Sequence, residues 1–288
     1  MTGPGGYTRR VAAEQIGANL AFINWTVLTG LAAGSFGAVV LARLRTSATR
    51  GFVAFTSICA LVFGLLALAS DLGLPPALIG SPVVTDPSWD VPRRVALGAF
   101  CLAALAYAVA LARREAGTRM GLGGLVAAGA TLVAGALGWG GGVLTAVPLL
   151  VQLVILAAAT GGVFAAMILG HWYLVTPKLP KEPLVFFARL LTAIVGLQLA
   201  LFVVWVAIGA GPSSGGPFAV LVGPWALFVW LRLVVGLLFP LVVSWAAIQT
   251  ARTRSMESAT GLLYIDVGSI AAGTILAAGL YFGAGLLV

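Results

Sequence analysis

The sequence predicts an all-α, polytopic transmembrane helical bundle of about eight spans, and three observations carry that prediction. Charged residues make up only 8% of the chain and apolar residues 61%, whereas a soluble domain carries about 25% charge. So thin a set of charges could not cover a water-facing surface. The mean hydropathy is +1.10. The apolar residues also fall into runs long enough to cross a hydrocarbon layer, which takes roughly 20 residues per helix. These runs are apolar on every side, unlike the alternating strands of a membrane barrel.

The spans read as 17–42, 51–72, 94–111, 122–139, 143–175, 184–210, 218–250 and 261–288. A short polar N-terminal segment, 1–16, precedes them with Arg9, Arg10 and Glu14, and residues 17–288 form one transmembrane domain. No short apolar core with a cleavage site precedes span 1, so that span reads as a retained anchor. Span 5 is longer than a crossing needs, which predicts a tilt or a break near Pro148. The loop between spans 2 and 3 holds Pro75, Pro76, Pro82, Pro87 and Pro92 and reads as a rigid cap. Every other loop is short, so no soluble catalytic domain is expected.

Orientation follows from Lys and Arg placement. The loops after spans 1, 3, 5 and 7 hold Arg43, Arg45, Arg50, Arg113, Arg114, Arg119, Lys178, Lys181, Arg252 and Arg254. The opposite side holds Arg9, Arg10, Arg93 and Arg94. Positive charge gathers on the cytoplasmic side, which predicts a bacterial or archaeal cytoplasmic membrane protein with both termini extracytoplasmic. Spans 3 and 7 resemble each other over Arg94-Val-Ala-Leu-Gly98 and Arg232-Leu-Val-Val-Gly236. Spans 1 and 5 share small-residue stretches, Gly30–Gly34 and Thr160–Gly162. Two four-helix repeats are one reading of this pattern.

Composition excludes several function classes. The net charge of +8 is dispersed over short loops, not gathered on a nucleic-acid-binding face. Cys59 and Cys101 lie alone inside spans and form no CxxC or haem-attachment motif. One histidine and two separate cysteines cannot build a usual metal site, so no metal cluster is expected in this chain. The glycine runs suit close helix packing, and none has the strand-to-helix setting of a nucleotide loop.

Ionisable groups at depth are functional candidates, because burying a charge in a bilayer is costly. His171, Arg189 and Asp266 lie on spans 5, 6 and 8 at similar depth, roughly 7–14 Å from the basic end at 1.5 Å per residue. Tyr173 and Tyr264 lie nearby. If the three face one another, Arg189 neutralises Asp266 and His171 can exchange protons, which suits a quinone head-group. The competing reading is an aromatic interface belt at His171–Tyr173 with a snorkelling Arg189. An outer group comprises Asn24, Trp25, Asp71, Arg94 and Arg232.

Spans 1 and 2 carry Leu28-Thr-Gly-Leu-Ala-Ala-Gly-Ser35 and Ser70-Asp-Leu-Gly73. This resembles the opening of the NrfD and polysulfide-reductase-type membrane subunits, eight- or nine-span proteins without haem. Members exchange electrons between quinol and an iron–sulfur partner subunit. The resemblance covers about 60 residues and implies a quinone pocket near the outer face, carried here by Asn24 and Asp71. Two departures stand out: Leu74-Pro75-Pro76 replaces an arginine and a proline, and His171–Pro177 has no family counterpart.

Together these readings predict a quinone-binding subunit of an oxidoreductase complex, set in the lipid bilayer, with redox centres on partner subunits. A haem b ligated by His171 is a second version, lacking the usual second histidine. A small-molecule transporter, whose inner and outer polar groups would line one path, is the rival class. An anchoring subunit without a site is the third.

Overall fold

The computed structural model describes residues 12–176 and 178–288. Arg9, Arg10 and Pro177, which entered the readings above, lie outside the described residues. The chain is an all-α polytopic bundle with eight helices long and apolar enough to cross a membrane. A short helix α1 (Ala12–Ala18) is followed by α2 (Leu20–Arg45), α3 (Arg50–Leu72), α4 (Asp90–Ala112), α5 (Thr118–Trp139) and α6 (Val143–Val175). Then come α7 (Glu182–Ile208), α8 (Ala226–Leu233), α9 (Phe239–Arg252) and α10 (Met256–Ala284). The seventh crossing combines α8 and α9. The outer surface of the bundle is apolar, with Leu102 70% and Val126 73% exposed, as lipid contact requires.

Several boundaries differ from the sequence reading, each for a local reason. Residues 12–18 are helical, and α1 packs on α10. The third span starts at Asp90 because an acid and a proline suit a helix's first turn. The seventh starts at Ala226, since 209–225 carries glycines at positive φ, including Gly209, Gly211, Gly215, Gly216 and Gly223. Gly209 ends α7 at φ 63°, where a Cβ would sit 2.6 Å from the Gly216 backbone. The break expected at Pro148 is absent, and α6 runs unbroken through it. Only one intrahelical bond is lost there, near the helix start.

The seventh span does break regularity, at a π-helical turn, Val234–Leu238. Pro240 follows it and has no N–H for the carbonyl four residues earlier, Gly236. That carbonyl accepts from Arg232 Nη1 at 3.2 Å instead. An arginine thus repairs the backbone of its own helix.

The first four spans close on themselves: α2 packs on α3, α3 on α4, α4 on α5, and α5 on α2. The last four repeat the pattern, with α6 on α7, α7 on α9, α9 on α10 and α10 on α6. The two units meet most closely where α2 crosses α6, with α5 on α6, α10 on α2 and α3 on α6 beside that crossing. A Cβ on Gly34 would lie 1.8 Å from the Ala157 carbonyl oxygen, and one on Gly161 2.1 Å from the Ser35 nitrogen. Backbones approach this closely only where side chains are missing. Since α2 and α6 are four crossings apart, they run parallel.

One face carries the arginine-rich loops and is called the basic face below; the other carries the loop between α3 and α4. That loop is pinned as a cap. Asn19, between α1 and α2, donates to Ile79 O at 3.1 Å and accepts from Ile79 N at 2.9 Å. Asp86 N donates to Gly138 O at 2.7 Å.

Candidate functional site

Near the basic face, α3, α6 and α10 leave a crevice of about 570 Å³. The end of α6 supplies His171, Trp172 and Thr176, α3 supplies Phe55 and Cys59, and α10 supplies Tyr264. His171 is exposed, and Tyr264 and Phe55 are each 49% exposed, so the crevice opens on the outer surface of the bundle. Gly51 admits the Trp172 indole: a Cβ there would lie 2.6 Å from the ring. Trp172 in turn stands 6.4 Å from the Phe55 ring. The chain's only histidine and a phenol therefore share an aromatic-walled slot at the end of a membrane span. Both can donate hydrogen bonds to a planar, carbonyl-bearing guest.

The expected inner network does not form. No hydrogen bond or ion pair joins His171, Arg189 and Asp266 among the described residues. Arg189 and His171 are exposed, whereas Asp266 is fully buried. The similar depth expected from the sequence does not bring the three side chains into contact. Tyr173 points away from the crevice, is buried, and donates to the Pro180 carbonyl. It is a tether for the turn after α6.

The outer group resolves into two sites. Asp71, 0% exposed, accepts from Arg93 Nε at 2.6 Å, Arg93 Nη2 at 3.2 Å and Arg94 Nε at 2.9 Å. Arg93 also reaches Asp90 at 3.0 Å and lies 4.7 Å over the Trp139 ring and 5.9 Å from that of Trp25. Asn24 donates to Ser70, the neighbour of Asp71, at 3.3 Å. The cavity beside Arg93 measures about 20 Å³, which accommodates one water and no head-group. Asp71 is thus locked between arginines.

In the second unit Arg232 is buried and has no carboxylate partner among the described residues. Its Nη2 donates to Gln198 Oε1 at 2.9 Å, and Gln198 Nε2 donates to the Ile155 carbonyl at 3.1 Å. Spans 7, 6 and 5 are thereby chained through one amide. No family model matches the chain, and no curated protein does.

Three site residues escaped the sequence reading. Arg93 counted as a loop charge, yet it is 1% exposed while Arg94 is 34% exposed. Gln198 and Gln152, both buried, are neutral and fell outside a search for ionisable groups. A glutamine inside an apolar run was the available signal. Among the described residues, His171 and Tyr264 border the first crevice, whereas Asp71 is bonded to Arg93 and Arg94 and Arg232 to Gln198.

A second crevice, about 300 Å³, lies where α5 and α7 flank the α2–α6 crossing. It is walled by small and aliphatic residues such as Ala33, Gly37, Ala128 and Gly162, with Phe187.

Proposed function

We propose that this integral membrane protein is a quinone-binding subunit of a redox complex in a bacterial or archaeal cytoplasmic membrane. The supporting observation is the lipid-facing crevice holding both His171 and Tyr264 among aromatic rings. A quinone arrives through lipid, needs a planar slot, and needs a hydrogen-bond donor for each carbonyl. The crevice opens to lipid, is walled by Phe55 and Trp172, and offers an imidazole and a phenol. Imidazole also has an unperturbed pKa near neutrality, which suits proton exchange at a head-group. The quinone supplies the two-electron chemistry, and the chain's part is to bind, orient and exchange protons. With one histidine and two cysteines in the chain, the redox centres belong to partner subunits. The basic face is cytoplasmic in this reading, by the charge rule.

The haem version is weaker on geometry. Of the soft ligands bordering the crevice, Cys59 and Met167, Met167 lies four residues before His171 on the same helix. Residues four apart share a face, so the pair cannot hold opposite sides of one haem.

The test is quinone-coupled electron transfer in membranes holding matched amounts of wild type and variants. His171→Ala and Tyr264→Phe should each lower turnover while the protein stays inserted. Wild-type turnover in both would withdraw the assignment.

A further inference from the structure

Two acids are fully buried within the bundle, Asp71 and Asp266, and they are treated in opposite ways. Asp71 is held by two guanidinium groups. Asp266, about a third of the way along α10 from its start at Met256, has no cation within 4 Å among the described residues. Its Oδ1 accepts only from the Ser269 hydroxyl on its own helix at 3.4 Å, and its Oδ2 has no partner. A structural polar contact of that kind would be served by a neutral side chain. A carboxyl kept at depth without a counter-ion is costly in its ionised form, and such residues in membranes mark proton and ion pathways.

The charged groups around it are few. The buried charged side chains among the described residues are Asp71, Arg93, Arg232 and Asp266. Of these only Arg232 shares the second unit with Asp266. On the helices packed against α10, His171 on α6 is exposed, and Arg252 lies exposed at the end of α9. Arg232 sits over the contact of Gly236 with Gly273; a Cβ on Gly273 would lie 2.8 Å from its Nη1. Gly273 is seven residues beyond Asp266, about 10 Å along the helix. Arg232 is therefore too far for an ion pair and close enough to act through its field. Arg232 Nε and Gln152 Oε1 also lack partners, so unmet polar atoms recur along this unit's interior.

We propose that Asp266 is a proton-exchange site inside the second four-helix unit, with Arg232 as its fixed counter-charge two helical turns away. The site gains a proton to become a neutral carboxyl and releases it as a carboxylate. This assignment does not depend on quinone binding, because His171 and Asp266 share no contact.

Infrared difference spectroscopy of the purified full chain in lipid provides the test. A protonated carboxyl has its own C=O stretch, separate from the amide bands. The expected result is a carboxyl band that shifts in D2O, disappears reversibly on alkalinisation, and is absent in Asp266→Asn. The midpoint of that disappearance should move in Arg232→Gln and stay in Arg189→Gln, which removes an exposed cation. If Arg232→Gln fails to fold, dicyclohexylcarbodiimide labelling of wild type decides instead: Asp266 should be modified and Asp71 spared. A band insensitive to D2O or pH, a band retained in Asp266→Asn, or no labelling at Asp266 would overturn the proposal.

Discussion

Replacing Asp71 by asparagine removes the carboxylate on which three guanidinium bonds converge, at 2.6, 2.9 and 3.2 Å. The isosteric amide keeps the volume but turns N–H donors toward N–H donors. Arg93, 1% exposed, is then left inside the protein with Asp90 alone, whose side chain is 36% exposed and screened by water. Breaking a buried pair costs about 3–5 kcal/mol, and the residual Asp90 contact places Asp71→Asn near the lower end. Arg94 is 34% exposed, so its share is under about 1 kcal/mol. Adding Arg93→Met removes the stranded cation and recovers part of the loss. Recovery is incomplete because a cation–π contact over Trp139, about 1–2 kcal/mol where desolvated, goes with it. The assay is equilibrium unfolding of the detergent-solubilised protein, with turnover per folded molecule measured beside it. Stability of Asp71→Asn within about 1 kcal/mol of wild type, or a double variant no better than the single one, would refute the ion-lock argument.

Gly34→Val should prevent folding or cost well over the 1–3 kcal/mol usual for overpacking, because its Cβ meets a carbonyl at 1.8 Å. Gly162→Ala, where nothing lies within 4 Å, should be neutral or slightly stabilising; thermal melts of both variants compare them. Gln198→Leu removes the Arg232 acceptor and should cost about 1.5–3 kcal/mol, the scale of a hydrogen bond to a charged group. Gln198→Glu should cost less, and equal losses in unfolding experiments would show that the amide is only filling space. A cysteine at Lys178 should be shielded from an impermeant thiol reagent added outside sealed cells, and one at Ser213 should react. The reverse pattern would invert the topology.

The eight crossings were legible because all-round apolar runs have few alternatives in a folded chain. The same property hid the sites. Depth can be counted from a helix end at 1.5 Å per residue, but azimuth has to be read from a polar face, and these helices have almost none. Counting therefore sets His171, Arg189 and Asp266 at one depth, but it carries no sign that the first two face outward and the third inward. Small residues carried more information: Gly34 and Gly161 stood out in the matching stretches of spans 1 and 5, and they make the crossing itself. Arg93 and Arg94 are adjacent and chemically identical, so only the turn of α4 decides which one is buried. The role of Pro240 in freeing a carbonyl for Arg232 was written in the chain, but reading it required knowing that the helix continues past the proline.

The crossing of α2 and α6 has a mechanical consequence. The two four-helix units touch there backbone to backbone, and side chains pack beside that contact, Phe63 on Phe164 and both Phe22 and Trp139 on Phe282. Such a contact resists sliding, and the aromatic contacts flanking it resist rocking. The crevice between α3 and α10 and the crevice between α5 and α7 lie on opposite sides of it. Both crevices are walled in part by α6, whose backbone is fixed against α2, so a guest in either meets a wall that does not give way.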